Sequence, residues 1–156
     1  CKFKTSIVAN DERESTERTD SKSRRILNFG HTTAHALEKV TNYRYFRHGE
    51  AVGYGMLVAG EISKHLGLLS SSKLDLLREA VNLCGNLPSA KKLNLNEIKA
   101  ALKFDKKSVR GQINWVLLDD IGSPTIVEGQ AISNKVLSLS LSEALGIAKR
   151  RTERSH

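Results

Sequence analysis

Cysteine is scarce in this sequence, which contains only Cys1 and Cys84 among its 156 residues. Two cysteines so far apart build neither a disulfide framework nor a cysteine-based zinc site, and their spacing matches no redox motif. We expect Cys84 to be a buried, unreactive thiol.

Long hydrophobic runs are also missing. No stretch approaches the roughly 20 apolar residues that a helix needs to cross a bilayer, and the first residues, Cys1 to Lys4, lack the layout of a signal peptide. These absences argue against a membrane protein and favour a cytoplasmic one. The start Cys-Lys-Phe-Lys, without methionine, suggests a piece of a longer chain.

Aromatic residues make up only 5% of the chain, against 39% hydrophobic and 27% charged residues. Leu, Ala, Lys and Glu are frequent, and all four favour helices. A chain of this length can form one domain with a core of its own. We therefore predict a single domain over residues 1–156 that is mainly α-helical with one small β-hairpin.

Acidic residues are outnumbered, because 25 Lys and Arg against 17 Asp and Glu give a net charge of +8. Such an excess suits nucleic acid, an acidic membrane surface or a small anionic substrate. Much of it lies in Lys22–Arg25 and in Lys149–Arg154, of which the second is expected to be a solvated tail. No aromatic residues that could stack on bases are interleaved there, so a basic nucleic-acid-binding module is a remote alternative.

Apolar periodicity and capping signals predict the order of the elements. We expect helices over about Gly30–Val40 and Glu50–His65, a third from a capping box at Ser72 to Gly85, a short one capped by Asn96, and a last one from about Ile132 to Leu145.

Alternating apolar residues predict the hairpin. Ile113, Trp115 and Leu117 alternate with their neighbours between Gln112 and Val127, and Asp120–Pro124 supplies the turn. In the second helix, three glycines lower the helix propensity, which predicts close packing or a ligand against them. These glycines are Gly53, Gly55 and Gly60.

Three histidines within a short window are the main chemical feature. His31 and His35 are four residues apart and share a helix face, and His48 follows after a loop-like stretch. Neutral imidazole is a common metal ligand and a general acid or base, so the three predict a metal or acid/base site. Hydrogen-bonded structural histidines are the alternative, and we expect His65 to be one.

A zinc site with two imidazoles still requires a further ligand. Glu38 and Glu50 are the local carboxylates that could supply it, although either could be a surface residue.

The run Arg-x-Ile-Leu-Asn-Phe-Gly-His-Thr-x-x-His-Ala-Leu-Glu (24–38), followed by His-Gly-Glu-Ala-Val-x-x-Gly-Met (48–56), resembles the 3-dehydroquinate synthase family. The resemblance extends over nearly the whole chain, back to Lys4 and forward to Asp105-Lys106-Lys107 and Ile121-Gly122. It implies the mostly helical C-terminal domain of a two-domain enzyme. The N-terminal NAD-binding α/β domain of the family is not in this sequence.

The resemblance implies a phosphate-eliminating carbon–oxygen lyase of the shikimate pathway of aromatic amino acid biosynthesis. Such an enzyme converts 3-deoxy-D-arabino-heptulosonate 7-phosphate to 3-dehydroquinate and phosphate. It uses NAD catalytically and a divalent metal, usually zinc, with cobalt as a substitute. We expect this chain alone to be inactive, and we expect a homodimer in the full-length form.

Site residues follow from the resemblance position by position. His31 and His48 match metal ligands, while the third ligand, a glutamate, lies before Cys1 in the family. Glu50 is therefore expected to orient or pack near His48 rather than bind the metal. The remaining matches contact the substrate: His35 and Lys4 in catalytic positions, Arg24 and Asn28 near carboxylate and hydroxyl groups, and Lys106 or Lys107 near the phosphate.

Two departures from the family pattern are visible. Thr33-Ala34 replaces a bulky apolar residue followed by glycine, and Ser15–Ser23 resembles an inserted polar segment, which makes Arg25 the substitute for Arg24 if the register shifts. The nearest alternative function is a related cyclase that makes 2-deoxy-scyllo-inosose or 2-epi-5-epi-valiolone. Asn28 and the intact Asp105–Lys107 motif favour dehydroquinate synthesis.

Overall fold

The computed structural model describes residues 24–108 and 113–148. Within these ranges the chain is mainly helical with one hairpin, which confirms the predicted fold class. The elements are a 3-10 helix (Arg24–Asn28), α1 (His31–Val40), α2 (His48–His65), α3 (Ser71–Leu83), α4 (Leu95–Ser108), β1 (Asn114–Asp120), β2 (Ser123–Glu128), a 3-10 turn (Gly129–Ala131) and α5 (Asn134–Leu145).

Four helices begin at other residues than predicted, because other polar groups cap them. Helix α2 begins at His48 rather than Glu50, since Glu50 Oε2 accepts from the Arg47 backbone N–H at 2.8 Å. Helix α3 is capped by the Ser70 hydroxyl, which accepts from the Lys73 N–H, and not by Ser72. Helix α4 is preceded by Asn94, whose carbonyl oxygen accepts from Ile98 and whose side chain accepts from Asn96. Helix α5 begins at Asn134 rather than about Ile132, since the Ser133 hydroxyl accepts from the Val136 N–H.

The hairpin is antiparallel, with Trp115 opposite Val127 and Leu118 opposite Pro124. Its turn is shorter than predicted, because Gly122, at φ 81°, reverses the chain between strands that reach Asp120 and Ser123. Residues 115–118 of β1 are all buried, rather than alternating with exposed ones. Both faces of β1 are covered, since Trp115 and Leu117 face the main core, Val116 packs with Ile26, and Leu118 joins the α3 cluster.

Helix α2 runs through the centre of the core and packs against α1, α3, α5 and β1. Val58 and Ile62 of α2 are fully buried, as are Leu37 of α1 and Leu141 of α5. The prediction for Cys84 is wrong, because this residue follows the last turn of α3 and is exposed. No helix among the described residues is both long and apolar enough to span a membrane.

Helices α1 and α2 approach each other at two glycines. A Cβ on Gly55 would lie 1.8 Å from the Gly30 carbonyl oxygen, and a Cβ on Gly30 would meet the Met56 nitrogen and the Val52 oxygen at 2.8 Å. Gly30 also has φ 83°, a conformation that side chains disfavour. Gly53, Gly55 and Gly60 of α2 all have neighbouring atoms within 3.1 Å of a Cβ position, so they serve close packing, which was one of the two predicted explanations.

We expect Gly55→Ala to destabilise the chain by about 3 kcal/mol or more, since the new methyl group would force two backbones apart in a packed core. Gly49→Ala is the matched control on the same helix, because nothing lies within 4 Å of its Cβ position. This control should have a free energy of unfolding equal to, or up to about 1 kcal/mol above, that of the wild type. Urea unfolding measures the free energy of unfolding of both variants. An equal loss of stability in Gly55→Ala and Gly49→Ala would contradict the close approach of the two backbones.

Candidate metal and substrate site

The contact between Gly30 and Gly55 places the first turn of α1 beside the first turns of α2. His31 is the first residue of α1 and His48 is the first residue of α2. Their ring centroids are 5.3 Å apart, and the rings of His31 and His35 are 5.9 Å apart. The three predicted histidines thus form one cluster.

A carboxylate on α1 orients the His48 ring. Glu38 Oε1 lies 2.9 Å from His48 Nδ1, and the Glu38 side chain is 12% exposed whereas the His48 side chain is 59% exposed. A ring whose Nδ1–H donates to a carboxylate presents a free lone pair at Nε2, which is the usual arrangement of a metal-binding histidine. Glu38 therefore fits the role of positioning His48.

Glu50, which we expected to orient or pack near His48, accepts from the backbone N–H of Arg47, while Glu38 forms the hydrogen bond to the His48 ring. The sequence contains a pattern that indicates Glu38 instead. His31, His35 and Glu38 follow an i, i+4, i+7 pattern and so form one stripe on α1.

The His31 ring is also held by a hydrogen bond at its Nδ1 atom. Its Nδ1 is 3.4 Å from the Phe29 carbonyl oxygen, a hydrogen bond that leaves Nε2 available. Two imidazoles with their Nδ1 atoms engaged are a suitable donor pair for zinc. Among the described residues, His31 and His48 belong to no group of three or more possible ligand side chains whose ligand atoms all lie within 4.8 Å of one another.

Of the predicted substrate residues, the structure describes the side chains of two, His35 and Asn28. His35 is exposed on α1, and Asn28 is exposed in the 3-10 helix, which the buried Ile26 anchors against β1. Arg24, like its neighbour Arg25, has its backbone in the same 3-10 helix. Their side chains fall outside the described part, as do those of Lys106 and Lys107 in the last turns of α4 and all of Lys4.

The two residues that depart from the family pattern are both buried. Thr33 and Ala34 are inaccessible to solvent, and the Thr33 hydroxyl has no hydrogen-bond partner. They lie on the side of α1 that faces the core, whereas His35 points outward. The substitutions therefore change the packing under the cluster and leave its exposed surface intact.

A second cluster lies at the opposite end of α2. Glu61 and His65 of α2 and Glu143 of α5 bring one ligand atom each within 4.8 Å of one another. His65 Nε2 is 2.8 Å from Glu143 Oε2, so the prediction of a hydrogen-bonded histidine is confirmed. The sequence did not indicate Glu61 or Glu143 as its neighbours, because Glu143 is distant along the chain.

The fold is that of the sugar-phosphate cyclases. A 2-epi-5-epi-valiolone synthase from Streptomyces hygroscopicus subsp. jinggangensis, with NAD+ and Zn2+ bound, superposes with a TM-score of 0.64 at 24% identity over 76% of this chain and 32% of that one. A 2-deoxy-scyllo-inosose synthase complexed with carbaglucose-6-phosphate, NAD+ and Co2+ gives 0.63 at 21% identity, over 77% of this chain and 34% of that one.

The sequence profile of the 3-dehydroquinate synthase C-terminal family matches residues 1–108, and the chain belongs to that family. It is 41% identical to the 3-dehydroquinate synthase of Dichelobacter nodosus, over 82% of this chain and 33% of that protein. It is 37% identical to the one of Acinetobacter baylyi, over 95% of this chain and 37% of that protein. The chain thus spans about a third of the length of the curated relatives it matches.

We expect neutral His48 to carry its proton on Nδ1, because Glu38 accepts from that atom. Long-range 15N–1H correlation spectra at pH 8 report the tautomer directly. Glu38→Ala should remove the preference for Nδ1–H at His48, while Glu97→Gln, an exposed carboxylate change on α4, should preserve it. An Nε2–H tautomer of His48 in the wild type would contradict the geometry.

Proposed function

We propose that residues 1–156 form the carboxyl-terminal domain of a 3-dehydroquinate synthase, which converts 3-deoxy-D-arabino-heptulosonate 7-phosphate to 3-dehydroquinate and phosphate. The observation that carries the proposal is the cluster of His31, His48 and Glu38, in which a carboxylate orients one of two adjacent imidazoles. The family to which the chain belongs and its 37–41% identity to such synthases support the same reaction.

In this proposal His31 and His48 hold a divalent metal, zinc or cobalt, and Glu38 positions His48. The metal supplies a Lewis acid that polarises substrate hydroxyl groups. Zinc prefers imidazole and carboxylate ligands, and the two histidines fit that preference. The third ligand, a glutamate, comes from the part of the enzyme that precedes this sequence.

The other predicted residues bind the substrate. His35 is exposed beside His31, where it can contact the phosphate or transfer a proton. A guanidinium such as that of Arg24 grips a carboxylate with two parallel hydrogen bonds, and lysines act as point charges toward phosphate. Asn28 supplies a hydroxyl contact, and Lys4 together with either Lys106 or Lys107 supplies the point charges.

In this proposal an amino-terminal domain binds NAD, and that domain is a partner of this chain. The related cyclases of the same fold are described with NAD+ bound together with Co2+ or Zn2+. We place the enzyme in the cytoplasm as a homodimer, with a phosphorylated sugar acid as its substrate and no nucleic-acid or membrane partner.

A cyclase that makes 2-deoxy-scyllo-inosose or 2-epi-5-epi-valiolone is the second candidate, because solved structures with this fold have those activities. Their identities to this chain are 21% and 24%, against 37–41% for the 3-dehydroquinate synthases. Asn28 and the Asp105–Lys107 motif also match the 3-dehydroquinate synthase pattern better than that of the other cyclases. The comparison favours dehydroquinate synthesis.

We expect this chain to bind zinc weakly through His31 and His48. Calorimetry at pH 7.5, where free imidazoles are neutral, should be done in a His65→Ala background so that the second cluster does not contribute. His31→Ala and His48→Ala should each weaken binding at least about 10-fold, because each removes one of the two ligands. His35→Ala is the matched control and should leave the affinity unchanged. Equal affinities in all variants would remove the two histidines as ligands.

The activity is tested in a chimera in which this chain replaces the matching third of the Dichelobacter nodosus synthase, with NAD and zinc supplied. We expect phosphate release from 3-deoxy-D-arabino-heptulosonate 7-phosphate, and a loss of about 100-fold on His35→Ala, the scale of a lost acid–base group. Glu97→Gln serves as the matched control.

Phosphate release from glucose 6-phosphate instead would favour the inosose synthase alternative. A folded, zinc-loaded chimera that acts on neither substrate would contradict the proposal.

A further inference from the structure

The second cluster, formed by Glu61, His65 and Glu143, lies far from the histidines of α1. Glu61 is 13 residues after His48 on α2, and a helix rises 1.5 Å per residue, so the two groups are about 20 Å apart. Glu61 and His65 are four residues apart and share one face of α2, while Glu143 reaches them from α5. Their ligand atoms all lie within 4.8 Å of one another, so the cluster lies between the central helix α2 and the last helix α5.

One oxygen in this cluster has no hydrogen bond although it is buried. The Glu61 side chain is 1% exposed, and its Oε1 accepts from Arg78 Nη2 of α3. Its Oε2 is buried and has no hydrogen-bond partner, and the Lys64 ammonium lies 3.7 Å from it. A buried carboxylate oxygen without a partner is unfavourable, so a proton or a cation is expected beside it.

The neighbours of that oxygen favour a cation. Burial raises the pKa of the Glu61 carboxyl, Arg78 lowers it, and the adjacent Glu143 raises it again. Two adjacent carboxylates repel each other when both are ionised, so a proton or a cation beside them is favourable. A proton on Glu61 is the alternative partner, and His65, whose Nε2 is 2.8 Å from Glu143 Oε2, adds an imidazole nitrogen that a transition-metal ion can use.

We propose that Glu61, His65 and Glu143 bind a divalent transition-metal ion, zinc in the first instance, that cross-links α2 to α5. Zinc accepts imidazole nitrogen together with carboxylate oxygen. Magnesium and calcium prefer sites made of oxygen alone, so the histidine selects against them. This site is separate from the proposed function and does not depend on it.

The ion can enter because two of its ligands reach the surface. The side chains of His65 and Glu143 are 23% and 40% exposed, whereas Glu61 is the buried anchor. On binding, the proton that His65 Nε2 shares with Glu143 moves to Nδ1 through solvent, so the imidazole stays neutral and its Nε2 lone pair faces the metal. The charges of the ion and the two carboxylates cancel, and the Lys64 ammonium moves outward into water.

The test uses the chain with His31→Ala and His48→Ala, which removes the other site. Zinc titrated into this double variant at pH 7.5 should bind at one equivalent and raise the thermal midpoint of unfolding, because ligands of the folded state stabilise it. Adding His65→Ala or Glu143→Gln should weaken zinc binding at least 10-fold and abolish the thermal shift. Glu79→Gln, an exposed carboxylate change on α3, is the matched control and should alter neither.

Two results would overturn the proposal. One is a double variant that binds no zinc although circular dichroism shows it folded, which would leave a proton as the partner of Glu61. The other is zinc binding that persists in both added variants. Neither result bears on His31 and His48, so this proposal and the proposed function fail separately.

Discussion

The contact between Gly30 and Gly55 is the constraint on which the rest of the structure depends. It lets the backbone of the α1 start lie directly on α2, with no side chain between them. A helix start held this close has its first side chains beside the neighbouring helix, which is why His31 lies next to His48. The chemistry of the site is thus set by two residues that carry no side chain.

Glu50 and Glu38, the two glutamates near the histidines, have different roles. Glu50 accepts from a backbone N–H at the start of α2 and so stabilises the turn that carries His48. Glu38 accepts from the His48 ring and sets which nitrogen faces outward. Backbone capping and ring orientation are separate requirements, and a short sequence window contains a carboxylate for each.

Much of this arrangement could be predicted from the sequence, and the failures have physical causes. The order of helices, the hairpin and the proximity of His31, His35 and His48 follow from periodicity and from motif resemblance. The helix starts were misplaced because several polar residues compete at each boundary, as Ser70 and Ser72 do. Burial on both faces of β1, the exposure of Cys84 and the meeting of Glu61 with Glu143 depend on contacts between distant segments, which local patterns do not encode.

The central claim is that His31 and His48 form two ligands of one metal site, and X-ray absorption at the zinc edge tests it most directly. The sample is the His65→Ala chain with one equivalent of zinc, so that within residues 24–108 and 113–148 the remaining histidines are those of the first cluster. The account predicts two imidazole nitrogens at about 2.0 Å, with the remaining ligands oxygen from water. A first shell with one imidazole or none would contradict it.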